Sequence, residues 1–213
     1  MTDSSRQKTR PAHFSMLRSY RAADVLTLGN AAAGTAAIFA AMSYLQAPDR
    51  WRIYLAFWLL PLALVLDIAD GRVARRQKQH SLFGGELDSL ADIVSFGVAP
   101  AALAYALGMR GGLDVALLLF FVACGISRLA RYNVTAAEIA AAGDKVEYFE
   151  GTPIPSSLAL VLVLAFCFHW NHIGDDLPLG VVRFGMLRWH PLSLIYLLSG
   201  AAMISKTLRI PKL

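Results

Sequence analysis

Asp67, Asp70, Asp88 and Asp92 stand in the stretch LDIADGRVARRQKQHSLFGGELDSLADIVSFG, where the flanking apolar segments should carry no charge. Asp67 and Asp70 are three positions apart and Asp88 and Asp92 four, so on helices each pair shares a face one turn apart. Four carboxylates can then converge across one helix connection. A carboxylate at membrane depth costs at least a few kcal/mol, and clustered anions repel one another as well. A bound cation relieves both penalties. Ligation by carboxylate oxygen alone, without His or Cys, favours a hard ion such as Mg²⁺ or Mn²⁺, and four carboxylates suffice to bridge two of them.

The residues between the acids add a second chemistry. Gly71 and Ala74 follow Asp70 on a surface with almost no side chain, and Gly84 with Gly85 opens the next helix in the same way, so a bulky ligand can approach the backbone. Arg75, one turn beyond Gly71, suits a bidentate grip on phosphate. Small residues, a fixed cation and metal together describe a diphosphate site. Taken singly, each has a blander reading: an Asp near a helix end is commonly a cap, and small residues in membrane helices commonly pack. The ordered set is what points to chemistry.

These residues need elements to hold them, and the composition names the class. With 56% hydrophobic and 16% charged residues and a mean hydropathy of +0.50, the chain is too apolar for a soluble globule. It is expected to be an all-α integral membrane protein. The apolar stretches approach the ~20 residues of a helical span and are far longer than the ~10 alternating residues of a barrel strand. Six transmembrane helices are predicted, at about 23–45, 53–78, 85–108, 112–133, 153–171 and 190–206. A short amphipathic helix over about 11–21, with Phe14, Met16, Leu17 and Tyr20 among Arg18 and Arg21, should lie at the headgroups. This divides the chain into a tail and interfacial helix (1–22), a six-helix domain (23–206) and a C-terminal tail (207–213).

With the N-terminus inside, fifteen of the twenty Lys and Arg fall on the cytoplasmic side. Arg50, Arg52, Arg110, Arg183 and Arg188 fall on the other. That bias puts both termini in the cytoplasm. It also accounts for the net charge of +5 without any nucleic acid. The basic N-terminal stretch lacks the short apolar core and cleavage site of a signal peptide and is expected to be retained. Cys124 and Cys167 sit singly in apolar segments, so no disulfide framework is expected. His80 reads as a solvated loop residue. His169 and His172 have metal-pair spacing but belong to the face opposite the acids, beside Trp170.

The ordered set Asp67, Asp70, Gly71, Ala74, Arg75, Gly84, Asp88 and Asp92 resembles the signature of the CDP-alcohol phosphatidyltransferase family without a mismatch, eight fixed positions in 26 residues. The resemblance implies a six-helix membrane fold, usually a homodimer, with two divalent ions in a cytoplasm-facing cavity. Asp67, Asp70 and Asp88 would be the main ligands. Asp92 would join the metal site and act as general base. The cytosine nucleotide would lie against Gly71, Ala74 and Gly84.

Three further stretches resemble the phosphatidylserine synthase branch of that family: LTLGN with Gly34, LDSLADIVSFGVAPA, and SRLARYN followed by YFEGTPIP. The first adds Asn30 to the CDP-lipid set. The Pro-Asn that often precedes it is Ala23-Asp24 here. The implied reaction is transfer of a phosphatidyl group from CDP-diacylglycerol to the hydroxyl of L-serine. Arg128 and Arg131, three apart, can meet the serine carboxylate or anchor the helix at the headgroups. Ser95 and Phe96, a turn past Asp92, shape an alcohol pocket or serve helix packing. Asn133 lines the pocket or caps a helix end. Another alcohol (inositol phosphate, glycerol phosphate or choline) is the nearest alternative acceptor. A divalent-cation transporter is the alternative from another class, but it leaves Gly71, Ala74, Arg75 and Gly84 unexplained. The lack of an appended soluble domain favours a prokaryotic cell membrane.

Overall fold

The computed structural model describes residues 21–76, 82–142, 148–185, 187–205 and 209–211. Among the described residues seven α-helices carry the fold: α1 Ala22–Gln46, α2 Arg50–Arg76, α3 Leu82–Asp92, α4 Ala99–Leu107, α5 Gly112–Ala142, α6 Leu158–His169 and α7 Leu194–Ile204. A π-helical segment, Ile93–Val98, joins α3 to α4 without a break. The third predicted helix is therefore one rod with a widened turn at its centre. Short 3-10 turns at Ile154–Ser157 and Pro191–Ser193 lead into α6 and α7.

Among the described residues four stretches are long and apolar enough to cross a bilayer: 22–46, 50–76, 83–107 and 112–135. The last two apolar helices, 154–169 and 191–204, are shorter. At 1.5 Å per residue they reach about 21–24 Å, against a hydrocarbon core of roughly 30 Å. Large apolar side chains face outward along the rods, among them Phe39, Trp58, Leu119, Phe166 and Leu198, each more than 60% exposed. A helix that is apolar on its outer face as well as its inner one fits lipid rather than water.

The interior is built on small residues. Ala33, Ala37 and Ala41 of α1 are buried, and α1 makes its most extensive contact with α2. Small side chains let two helix backbones approach closely where lipid supplies no hydrophobic drive. On the far side of the bundle Tyr196 of α7 is fully buried, meets Phe121 of α5 edge-on at 5.3 Å and donates its hydroxyl to the Pro100 carbonyl at 3.1 Å. That ties α7 to α4 and α5.

Two antiparallel ribbons are added among the described residues. β2 (Val182–Phe184) pairs with β3 (Leu187–Trp189), and β1 (Tyr148–Glu150) pairs with β4 (Arg209–Pro211), Phe149 opposite Ile210. The second pair gives part of the expected C-terminal tail a fixed partner. Next to it, Gly151 has φ +72°, and a Cβ there would lie 2.9 Å from the Met203 carbonyl carbon. Only glycine accepts both demands.

The fourth predicted helix differs most from its expected bounds. Expected to stop at 133, α5 continues to Ala142 and takes in residues assigned to a polar connection. The added turns read TAAEIAAA, and alanine has the highest helix propensity of any residue. The expected interfacial helix lies outside the described residues except for Arg21, and His80 lies outside them altogether.

Candidate active site

The acid pairs occupy neighbouring ends of α2 and α3. Asp67, Asp70 and Asp88 each offer a carboxylate oxygen within 4.8 Å of the others. Asp70 and Asp92 are buried, while Asp67 and Asp88 are half-buried. Asp92, at the last position of α3, stands within hydrogen-bonding reach of Asp67. All four predicted acids thus meet in one place.

The donor set fits a divalent cation. Asp88 Oδ1 is buried without a hydrogen-bond partner among the described residues, and a buried acceptor left unmet costs about 1–3 kcal/mol. Three carboxylates this close are stable together only if a cation lies among them or protons neutralise them. Their oxygens are the hard donors that Mg²⁺ and Mn²⁺ accept. His169 and His172, both exposed at the far end of α6, join no metal-type cluster among the described residues.

Helix α1 supplies the support. Thr27 donates its hydroxyl to Asp70 Oδ2 at 2.6 Å, and Asn30 Nδ2 donates to Asp92 Oδ1 at 3.3 Å. One turn earlier, Asp24 accepts the Arg21 backbone N–H at 2.9 Å. Asp24, Thr27 and Asn30 are all at least 95% buried. Their i, i+3, i+6 spacing makes a polar stripe on an otherwise apolar helix. Sequence reasoning passed over Thr27 and Asp24, although that stripe was the available signal.

Asn30 therefore faces Asp92 directly. Its carbonyl also accepts the Ser95 hydroxyl at 2.9 Å. Ser95 is fully buried beside Gly34, where a Cβ would lie 2.6 Å from Ser95 Cα. The Ser95 hydroxyl is thus engaged with α1 across the contact between helices. Phe96 is fully buried in the same segment.

The small-residue surface lies beside the acids. A Cβ on Gly71 would meet only the Arg75 guanidinium, at 3.4 Å from Nη1, and around Gly85 there is open space. Ala74 and Gly84 are half-buried, and Arg75 is exposed. A flexible arginine over bare helix can move onto a phosphate as one arrives.

The two arginines of α5 part company. Arg128 is half-buried, its Nε has no hydrogen-bond partner among the described residues, and Asp92 is among its electrostatic neighbours. Arg131 is exposed. Asn133 exchanges hydrogen bonds with Ser89 of α3 at 3.0 and 3.2 Å, which pins α5 against the helix carrying Asp88 and Asp92. From YFEGTPIP onward, the turn Ile154–Ser157 packs on the π segment. Thr152 and Ser157 there have buried hydroxyls without partners among the described residues.

Comparison with known proteins gives this arrangement a context. The family model described as CDP-alcohol phosphatidyltransferase matches residues 20–200. A Saccharomyces cerevisiae protein named CDP-diacylglycerol–serine O-phosphatidyltransferase is 44% identical over 203 residues, covering 94% of this chain and 74% of the relative. A Helicobacter pylori protein of the same name is 38% identical over 128 residues, 59% of this chain and 52% of its own. One from Bacillus subtilis is 31% identical over 147 residues, 68% of this chain and 75% of its own.

Proposed function

The chain belongs to the CDP-alcohol phosphatidyltransferase family, and from that premise we propose that it transfers a phosphatidyl group from CDP-diacylglycerol to the hydroxyl of L-serine, giving phosphatidylserine and CMP. The observation that carries the reading is the convergence of Asp67, Asp70 and Asp88 within 4.8 Å beside the side-chain-poor surface of Gly71 and Ala74. The yeast relative, alike over nearly the whole chain, supports serine as the acceptor.

Asp67, Asp70, Asp88 and Asp92 would hold two divalent ions, Mg²⁺ or Mn²⁺. When bound, such ions neutralise the diphosphate and stabilise the departing CMP. Arg75 grips the diphosphate, and the cytidine lies along Gly71, Ala74 and Gly84, with Asn30 bounding the site from α1. Arg128 meets the serine carboxylate and Arg131 contributes from the rim. Asp92 takes the proton from the serine hydroxyl as its oxygen bonds to the β-phosphorus, and the bond from that phosphorus to the CMP oxygen breaks. Asn30 keeps the Asp92 carboxylate turned toward the site. Ser95 acts on the reaction only by fixing Asn30.

Around this centre the proposal includes six membrane-spanning helices with both termini cytoplasmic, a homodimer, and a prokaryotic cell membrane as the setting. Residues 23–206 would form the transferase domain between two tails. The two short helices span by using their 3-10 turns and interfacial flanks.

Purified enzyme supplied with CDP-diacylglycerol and serine, inositol phosphate, glycerol phosphate or choline in turn tests the acceptor. CMP release with serine is expected. Release with inositol phosphate and not serine would overturn the assignment.

A further inference from the structure

Away from the acids, at the opposite membrane face, the ends of α1 and α4 and the segment entering α7 surround a pocket of about 390 Å³. From Asn30 to Tyr44 along α1 is fourteen residues, or roughly 21 Å of helix. Tyr44, Leu45 and Leu107 give the pocket an apolar side, and Arg110, Arg188 and His190 a basic one.

The basic side is firmly held. Asp114, fully buried at the start of α5, accepts His190 Nδ1 at 2.6 Å on Oδ2 and the His190 backbone N–H at 2.9 Å on Oδ1. The Gly111 N–H adds a third bond at 3.0 Å. His190 is only 3% exposed, yet its Nε2 is buried with no partner among the described residues. Arg110 is anchored to the Tyr105 and Ala106 carbonyls at 3.0 and 2.9 Å. The acid at the rim, Asp175, is shared by Arg188 at 2.5 Å and Arg183 at 3.1 Å, so the surroundings keep a positive balance.

We propose that this pocket binds the headgroup of a glycerophospholipid from the leaflet opposite the acid cluster. Guanidinium groups recognise phosphate oxygens. His190 Nδ1 is committed to Asp114, which leaves Nε2 as the ring's remaining polar atom at the pocket wall. A phospholipid carries phosphate and apolar carbon on one molecule, the phosphate for the guanidinium groups and the glycerol and upper acyl carbons for Tyr44, Leu45 and Leu107. Inorganic phosphate would use the basic side alone. The site shares no residue with the proposed transfer centre, so either can fail without the other.

The test uses the full chain in detergent, titrated with dihexanoyl-phosphatidylglycerol or with inorganic phosphate and read by native mass spectrometry and thermal unfolding. Saturable lipid binding with a raised Tm is expected, weakened at least tenfold in an Arg110→Gln, Arg188→Gln double variant. Leu45→Trp fills the apolar side without touching the Asp114–His190 pair, and it should weaken lipid binding to a similar degree in a protein that still folds. Unchanged lipid affinity in both variants overturns the proposal. Inorganic phosphate binding as tightly as the lipid also overturns it, leaving a site for a free anion.

Discussion

Thr27 Oγ1 donates to Asp70 Oδ2 at 2.6 Å, across 43 positions of sequence and with both groups buried. The bond ties the first helix to the acid cluster and fixes the orientation of one carboxylate. Partners of this kind, one step outside a metal site, typically contribute about 10–100-fold to affinity or activity. Thr27→Val keeps the shape and removes the donor. It should raise the divalent-ion concentration needed for half-maximal CMP release by at least about tenfold, whereas Thr27→Ser should stay near the parent. A metal titration of activity distinguishes the two.

Substitutions within the cluster should separate holding metal from moving a proton. Asp67→Asn and Asp88→Asn each remove charge from the three-carboxylate group and should lose metal binding and turnover together. Asp92→Asn should weaken Mn²⁺ binding less than either of those and, at saturating metal, still lose rate by about 10²–10⁴. Isothermal titration with Mn²⁺ beside a CMP assay reads both. Full activity in the Asp92 variant would remove it as the base.

Gly34 gives a prediction about packing. Any side chain there meets the Ser95 backbone, and backbone cannot yield as the tip of a side chain can. Gly34→Leu should cost about 1–3 kcal/mol or more, as overpacking does. Because Ser95 fixes Asn30, and Asn30 touches Asp92, kcat should fall in whatever fraction remains folded. Thermal unfolding and a rate normalised to folded protein check the two effects.

Arg128 and Arg131 should not be equivalent. Arg128 lies inward near Asp92 and Arg131 faces out. Arg128→Ala should raise the KM for serine by at least about tenfold, the scale of a lost charge-assisted hydrogen bond. Arg131→Ala should change it by a few-fold. Equal effects, or a larger effect on the CDP-lipid requirement, would move Arg128 to the nucleotide side.

The contrast between those arginines marks where sequence reading stops. Spacing along one helix is fixed by the chain, so the pairing of Asp67 with Asp70 and of Asp88 with Asp92 was legible, as were the apolar rods that carry them. The same logic could have exposed Asp24, Thr27 and Asn30 as one stripe. What faces a given side of a helix depends on how neighbouring helices are rotated, and no single-chain spacing encodes that. Arg128 and Arg131 looked alike until α5 was set against α3 through the Ser89–Asn133 bonds. Ser95 stood at a plausible distance from Asp92, but Gly34 lay opposite it and drew it into the α1 contact. The end of α5 escaped for a different reason: alanines that look like loop filler between polar residues carry a strong helical preference of their own.

The most direct measurement supplies the purified enzyme with CDP-diacylglycerol, Mn²⁺ and isotopically labelled L-serine, and identifies the headgroup of the lipid product by mass spectrometry. The label should appear in phosphatidylserine in a one-to-one ratio with CMP, and both should vanish on chelation. Unlabelled lipid product, or no CMP at any metal concentration, would contradict the account.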